Sequence, residues 1–265
     1  MIDPAEFNAY CANCQALLAG EYCQVCGQHR AALDDLSVTR IVTRFGHELA
    51  HLDFKSLRSL VALLAPGYLT AEYLQGRRRR YLTPLKLYFV VAAVFFVAAP
   101  FVGFTLGDLM AQDSTGALSQ MVNKRISERQ LAPDLFAERF DLRLQTVYTL
   151  ALAVSVVSAA LLLQALYRRR TLGEHLVFAL HYVSFLYLGA ILLGSYNKVF
   201  GWPGPGISLA LTYTIIGPYL LAGLRRVYGG GLLRTAAKAL LILTVSFVVD
   251  NIVNFGALFL TLWLV

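Results

Sequence analysis

Charge is scarce in this chain. Only 15% of its 265 residues are Asp, Glu, Lys or Arg, against roughly a quarter in an ordinary soluble domain, which excludes a water-exposed surface over most of its length. Cysteine is absent after residue 26, and the four that exist lie within sixteen residues of one another, so disulfides play no part in holding the fold together. No internal repeat or low-complexity segment is evident. The first twenty residues contain no apolar core flanked by basic residues, so no cleavable signal peptide is expected there.

Apolar residues are what the chain has in excess, at 57% with a mean hydropathy of +0.59. The composition is that of a membrane protein. Its formal charge of +7 sits in short runs beside apolar spans. That is the pattern of topology signals and of contact with anionic lipid, not of a face that binds nucleic acid.

Residues 1–35 contain Cys11-Ala-Asn-Cys14 and, after eight further residues, Cys23-Gln-Val-Cys26. Each CxxC bends its backbone so that two sulfurs face one point, and Gly20 and Gly27 are expected to supply the permissive backbone of these turns. Four soft thiolates in this spacing select zinc over iron, and are read here as a zinc ribbon rather than as unligated thiols. A four-cysteine site has no open coordination position, so the zinc is structural, and a piece this small depends on its metal to fold.

Residues 36–84 read as cytosolic interfacial helices. Apolar positions such as Val38, Phe45, Leu52 and Leu60 recur at three- and four-residue spacing among Arg40, Arg44, Lys55 and Arg58. The pattern predicts a basic amphipathic helix over 36–65, with Ser37 as N-cap, lying on the inner membrane surface. Pro66-Gly67 ends it and a short helix over 68–75 follows. Gly76 closes that helix, and Arg77, Arg78, Arg79 and Arg80 then mark the membrane entry, where they are expected to contact anionic lipid.

The remainder, 85–265, reads as a transmembrane bundle of about five helices. The spans are Leu85 to Leu106, Gln145 to Tyr167, Leu176 to Asn197, Ile207 to Leu224 and Ala239 to about Leu264, each near the ~20 residues that cross a ~30 Å core. A loop over 107–144 carries two short amphipathic helices. Gly217-Pro218 is expected to interrupt the fourth span. Twelve Lys and Arg flank one set of span ends (Arg77 to Arg80, Lys86, Arg168 to Arg170, Arg225, Arg226, Arg234 and Lys238), and six fall in the opposite loops. The asymmetry places the N-terminus in the cytosol and the C-terminus outside, with 107–144 periplasmic. The cysteines then face a reducing compartment, which suits metal binding.

The elements Cys11, Cys14, Cys23, Cys26 with Gly27 and Gln28, then Pro66-Gly67, then Gly76 through Tyr81 and Pro84, occur in an order that resembles a family of bacterial membrane proteins catalogued only as a domain of unknown function. The resemblance covers about residues 10 to 100. It implies a bacterial inner-membrane protein with an N-terminal zinc ribbon, and implies no activity.

Two other groups could carry chemistry. His47-Glu48-Leu-Ala-His51 is a literal HExxH, which on a helix sets two imidazoles and a glutamate on one face, as a zinc hydrolase requires. No third ligand follows at a familiar spacing, and a solvated helix face is the competing reading. Asp250 lies about 18 Å into the last span, with Asn251 and Asn254 beside it and His181 at comparable depth in the third. An acid there must be neutralised, paired or wetted. Asp250 and His181 suit a small transporter or lipid-handling protein, or else serve as interhelical glue. The reading that ranks first is a non-enzymatic membrane protein whose ribbon docks a protein partner or a second copy, ahead of transport and of hydrolysis.

The orientation is directly testable. With the four native cysteines replaced by serine, single cysteines at Ser119 and after Val265 should react with an impermeant thiol reagent from the periplasmic side, and one at Thr171 should not. The reverse labelling would overturn the topology.

Overall fold

The computed structural model describes residues 9–30, 38, 55–113, 115–201 and 205–265. The first of these segments is a two-knuckle ribbon with isolated antiparallel bridges, and from residue 55 onward the described chain is helical. Of the amphipathic helix expected over 36–65, the structure shows α1 (Lys55–Leu63). Ser37 and the His47, Glu48, His51 motif lie outside the described residues.

Local chemistry sets the element ends. The short helix α2 (Tyr68–Leu74) starts on Gly67, whose φ of 66° is a left-handed conformation that favours glycine. Helix α3 (Pro84–Ala98) opens with proline in its first turn, where the missing amide costs nothing, and runs into a 3-10 turn at Ala99–Phe101 around Pro100. Then come α4 (Leu106–Gln112), closed at its start by a Thr105–Asp108 capping box, and α5 (Ala117–Arg129). Helix α6 (Pro133–Leu166) begins on another proline, and α7 (Leu172–Phe200) on a Thr171–Glu174 capping box. The last two are α8 (Pro205–Tyr228) and α9 (Leu232–Leu264).

Among the described residues four helices are long and apolar enough to cross a membrane: Pro84–Phe101, α6, α7 and α9. Three details differ from the sequence reading. The first span stops at Phe101, because Pro100 and Gly103, at φ 95°, break the helix before Leu106. The second surface helix of the 107–144 loop does not exist as a separate element. Its residues are the first turns of α6, which runs 34 residues, about 51 Å, because neither glycine nor proline follows Pro133 until the helix ends. The fourth expected span lies in α8, which is not one of the four and which runs through Pro218 without a break. Proline forfeits one backbone bond there but not the helix.

Helix α7 is the centre of the bundle, packed between α3 and α6, while α9 packs along α6 and against α8. Where α3, α6 and α7 meet, Ala92, Ala159, Ala160 and Ala179 interleave with Tyr88, Val156, Leu180 and Val183. Small residues there let backbones approach closely, the packing expected of helices in lipid. At the opposite end from the ribbon, Phe136 and Phe140 of α6 are fully buried against Leu106, Val122 and the tip of α9 at Leu262 and Val265. Each such aromatic contributes about 1.5–3 kcal/mol, so the segment over 107–144 is a packed cap.

The segment ahead of the first span is bound into the bundle at one corner. Tyr219, Gly223 and Arg226 of α8, spaced to share one face, meet the turn after α1. The Tyr219 hydroxyl donates to the Leu63 carbonyl at 2.6 Å, and Arg226 Nη1 donates to the Pro66 carbonyl at 2.6 Å. Between them a Cβ on Gly67 would stand 2.8 Å from Gly223 Cα. Gly67→Ala therefore combines a left-handed φ with a backbone clash, and should cost about 1–3 kcal/mol, seen as a drop of several degrees in thermal midpoint in detergent. An unchanged midpoint would show that the corner is not a tight contact.

Candidate metal centre and the arginine corner

The ribbon is built twice over from one design. In the first knuckle the Cys11 amide donates to Ala16 and the Gln15 amide to Cys11; in the second, the Cys23 amide donates to Gln28 and the Gly27 amide to Cys23, all at 2.8 Å. Bridges Tyr10 to Leu17 and Tyr22 to His29 close the two loops. The residue after each CxxC is left-handed, Gln15 at φ 61° and Gly27 at φ 67°. Gly27 has the expected role. Gly20 does not, since the left-handed position of the first knuckle falls on Gln15, in register with Gly27.

This geometry brings the four sulfurs together. The Sγ atoms of Cys11, Cys14, Cys23 and Cys26 all lie within 4.8 Å of one another, with Cys11 to Cys26 at 3.6 Å and Cys14 to Cys23 at 3.5 Å. The edge of a tetrahedron with metal–sulfur arms of ~2.3 Å is roughly 3.8 Å, so the quartet fits a single metal ion. Hydrogen bonds from the Cys26 and Val25 amides, set against burial, pull the Cys23 thiol down to about 6. Cys14 is pushed up to about 12, because burial and the three neighbouring thiols outweigh a backbone bond at Ala16 that lowers it. A bound cation reverses that crowding by drawing all four to thiolate.

The ribbon sits on the arginine run. Gln28 Nε2 donates to the Gly76 carbonyl at 2.7 Å, and the Arg78 amide donates back to Gln28 Oε1 at 3.2 Å. Gln28 is buried. Arg79 Nε donates to the Cys26 carbonyl at 3.2 Å, and Gly76, at φ 84°, leaves just enough room for the Ala12 side chain of the first knuckle.

The four arginines therefore differ in role. Arg77 grips Glu72 through two bonds, at 2.7 and 2.5 Å, and Arg78 lies 4.8 Å over the Tyr73 ring and bonds the Tyr73 carbonyl. Both are tied back to α2. Arg79 and Arg80 are the exposed members.

His181 and Asp250 take separate partners. His181, buried in α7, meets the Thr70 hydroxyl at 3.0 Å and so helps seat α2 in the bundle. Asp250, half-buried in α9, accepts from the Ser155 hydroxyl of α6 at 2.7 Å. Among the described residues no hydrogen bond or ion pair joins the two. Asn251 bonds the Phe247 carbonyl of its own helix, and Asn254 is exposed. Sequence reasoning missed Glu72, Thr70, Gln28 as a clamp, and His175, a fully buried imidazole 2.8 Å from the Tyr228 hydroxyl. None of these contacts has a periodic signature, since each partner lies on a different element.

Fold and site together define an all-helical protein with, among the described residues, four helices long and apolar enough to cross a membrane and a four-thiol site compatible with a metal. A protein-family model described as Protein of unknown function (DUF3667) matches residues 53–96, which take in Pro66-Gly67, the arginine run, Pro84 and most of α3, while the cysteines lie upstream. No curated protein and no solved structure matches the chain.

Arg77 and its hydrogen bonds hold the Glu72 carboxyl below the usual glutamate range, against the opposing effect of burial. A depressed folded value means the pair stabilises the protein above the ordinary glutamate pKa and loses that contribution as pH falls through the folded value. Glu72→Gln should thus cost about 1–2 kcal/mol near neutral pH, a figure reduced because the guanidinium is partly exposed. The difference from wild type should shrink in acid below about pH 4.5, the unperturbed glutamate value. Thermal midpoints of both proteins across pH would show it, and a constant difference would remove the pair from the account.

Proposed function

We propose that the chain is a non-enzymatic integral protein of the bacterial inner membrane, with its N-terminus cytosolic and its C-terminus outside. In this reading a structural zinc in the Cys11, Cys14, Cys23, Cys26 site folds a ribbon that docks a protein partner or a second copy at the membrane surface. The observation that carries it is the two-way Gln28 clamp on Gly76 and Arg78, which sets the ribbon on the residues leading into the first span. A freely tethered ribbon would need no such seat. Tyr10, Leu17, Tyr22 and Val25 of the ribbon remain exposed, with Val25 at 75%, and apolar side chains presented on a small rigid unit are the usual material of a protein contact. Arg80, and the exposed part of Arg79 beyond its bond to Cys26, face outward beside it, where they would meet anionic lipid headgroups. The closed four-sulfur set supports a structural over a catalytic metal, as no coordination position remains for substrate.

Purified protein should contain about one equivalent of zinc. Cys23→Ser should release it and open residues 9–30 to protease. Gln28→Leu should keep the metal but loosen the ribbon from the arginine corner, so that protease sensitivity rises at full zinc content. A stoichiometry near zero in anaerobically purified protein would remove the zinc reading, and an unchanged digestion of Gln28→Leu would remove the clamp.

A further inference from the structure

At the end of the bundle away from the ribbon, α3, its 3-10 turn, α4 and α6 enclose a hollow of ≈ 540 Å³, mouth included. The space inside it that water-sized groups can occupy is ≈ 70 Å³, room for a small head group, with the rest open at the mouth. Its walls are mostly aromatic, from Phe95, Phe96, Phe104 and Tyr148, and its polar lining includes Asp141 and Gln145. It stands where the first span ends and α6 enters its apolar stretch.

Asp141 is short of donors. One carboxylate oxygen accepts from the Leu106 amide at 2.8 Å, and among the described residues no cation lies within ion-pair distance of it. The neighbouring acid is already satisfied: Asp108 takes Lys198 Nζ at 2.8 Å and the Thr105 hydroxyl at 2.6 Å. An adjoining hollow shares Phe104 and Leu109 and buries Asn197 Oδ1, which has no partner among the described residues. Arg139 and Arg143 flank Asp141 along α6 but are exposed. A half-buried carboxylate without a cation is costly, and aromatic faces around it attract a cation further. An apolar wall beside it suits a hydrocarbon chain.

We propose that this hollow binds an amphiphile with a primary ammonium head, the N–H groups on Asp141 and the chain against Phe95, Phe96 and Tyr148. The head could belong to a membrane lipid such as phosphatidylethanolamine or to a free long-chain amine, and the chemistry is the same. Choline heads carry the charge without the N–H groups, and glycerol heads carry neither charge nor ammonium.

The full-length protein in detergent, titrated by native mass spectrometry with phosphatidylethanolamine, phosphatidylcholine and phosphatidylglycerol, and separately with dodecylamine and dodecyltrimethylammonium, tests this. Primary ammonium forms should bind about tenfold tighter than their partners, the effect of one charge-assisted hydrogen bond. Asp141→Asn, which keeps an acceptor for the Leu106 amide, should abolish the preference without moving the thermal midpoint. Ala99→Leu, which narrows the hollow, should weaken the tight binding. A preference in the phospholipid set alone assigns the site to lipid, and one in the amine set alone to a free amphiphile. Equal binding across heads, or a preference that survives Asp141→Asn, would overturn the proposal.

Discussion

The contact between Gly67 and Gly223 is the constraint on which the rest of the arrangement depends. Two backbones that close leave no space for a side chain, and only there can the turn after α1 lie against α8. With that turn in place, Thr70 reaches His181, and Leu69 and Leu63 join the core formed by Leu82, Leu87 and Val91. The Ser59 hydroxyl then meets the Leu82 amide at 2.9 Å, which positions the strand of chain leading to Pro84. The arginine corner follows α2, and the ribbon rests on the corner. A shift at Gly67 would propagate through each of these in turn.

The second organising feature is how helix ends are closed. The last carbonyls of a helix lack intrahelical donors, and in an apolar setting they cannot rely on water. Here four helix ends take a side chain from elsewhere in the chain. Tyr219 serves α1, Lys238 serves α6 at Leu166, Arg170 serves α8 at Val227, and Arg125 serves α9 at Leu262 and Trp263. Lys238 also lies 3.7 Å over the Tyr167 ring. Basic residues that count toward topology are thus also caps, favoured by the negative end of the helix dipole.

Asp250 and His181 illustrate how depth alone misleads. Both are polar groups far along apolar helices, and their comparable depth invited a shared path. The structure gives Asp250 to Ser155, across the α6–α9 contact, and His181 to Thr70, across the α7–α2 contact. A hydrogen bond between packed helices is a common use of such residues. The rotation of each helix about its axis, which depth does not report, decided the partners.

Much was legible beforehand. Paired CxxC spacing determines that four sulfurs converge, because a two-residue gap admits few backbone paths. Apolar runs near twenty residues determine helices, because no other form satisfies the backbone away from water within a single segment. Proline at 84 and 133 marks helix starts through local chemistry. The seat of the ribbon, the left-handed Gln15, the continuity of α6 and of α8 through Pro218, and the hollow beside Asp141 were decided only in three dimensions. The seat and the hollow depend on contacts between elements distant in the chain, such as Gln28 with Gly76 or Asp141 with Leu106. Local sequence encodes which elements form; which faces meet is set by side chains that have no periodic mark until the helices are packed.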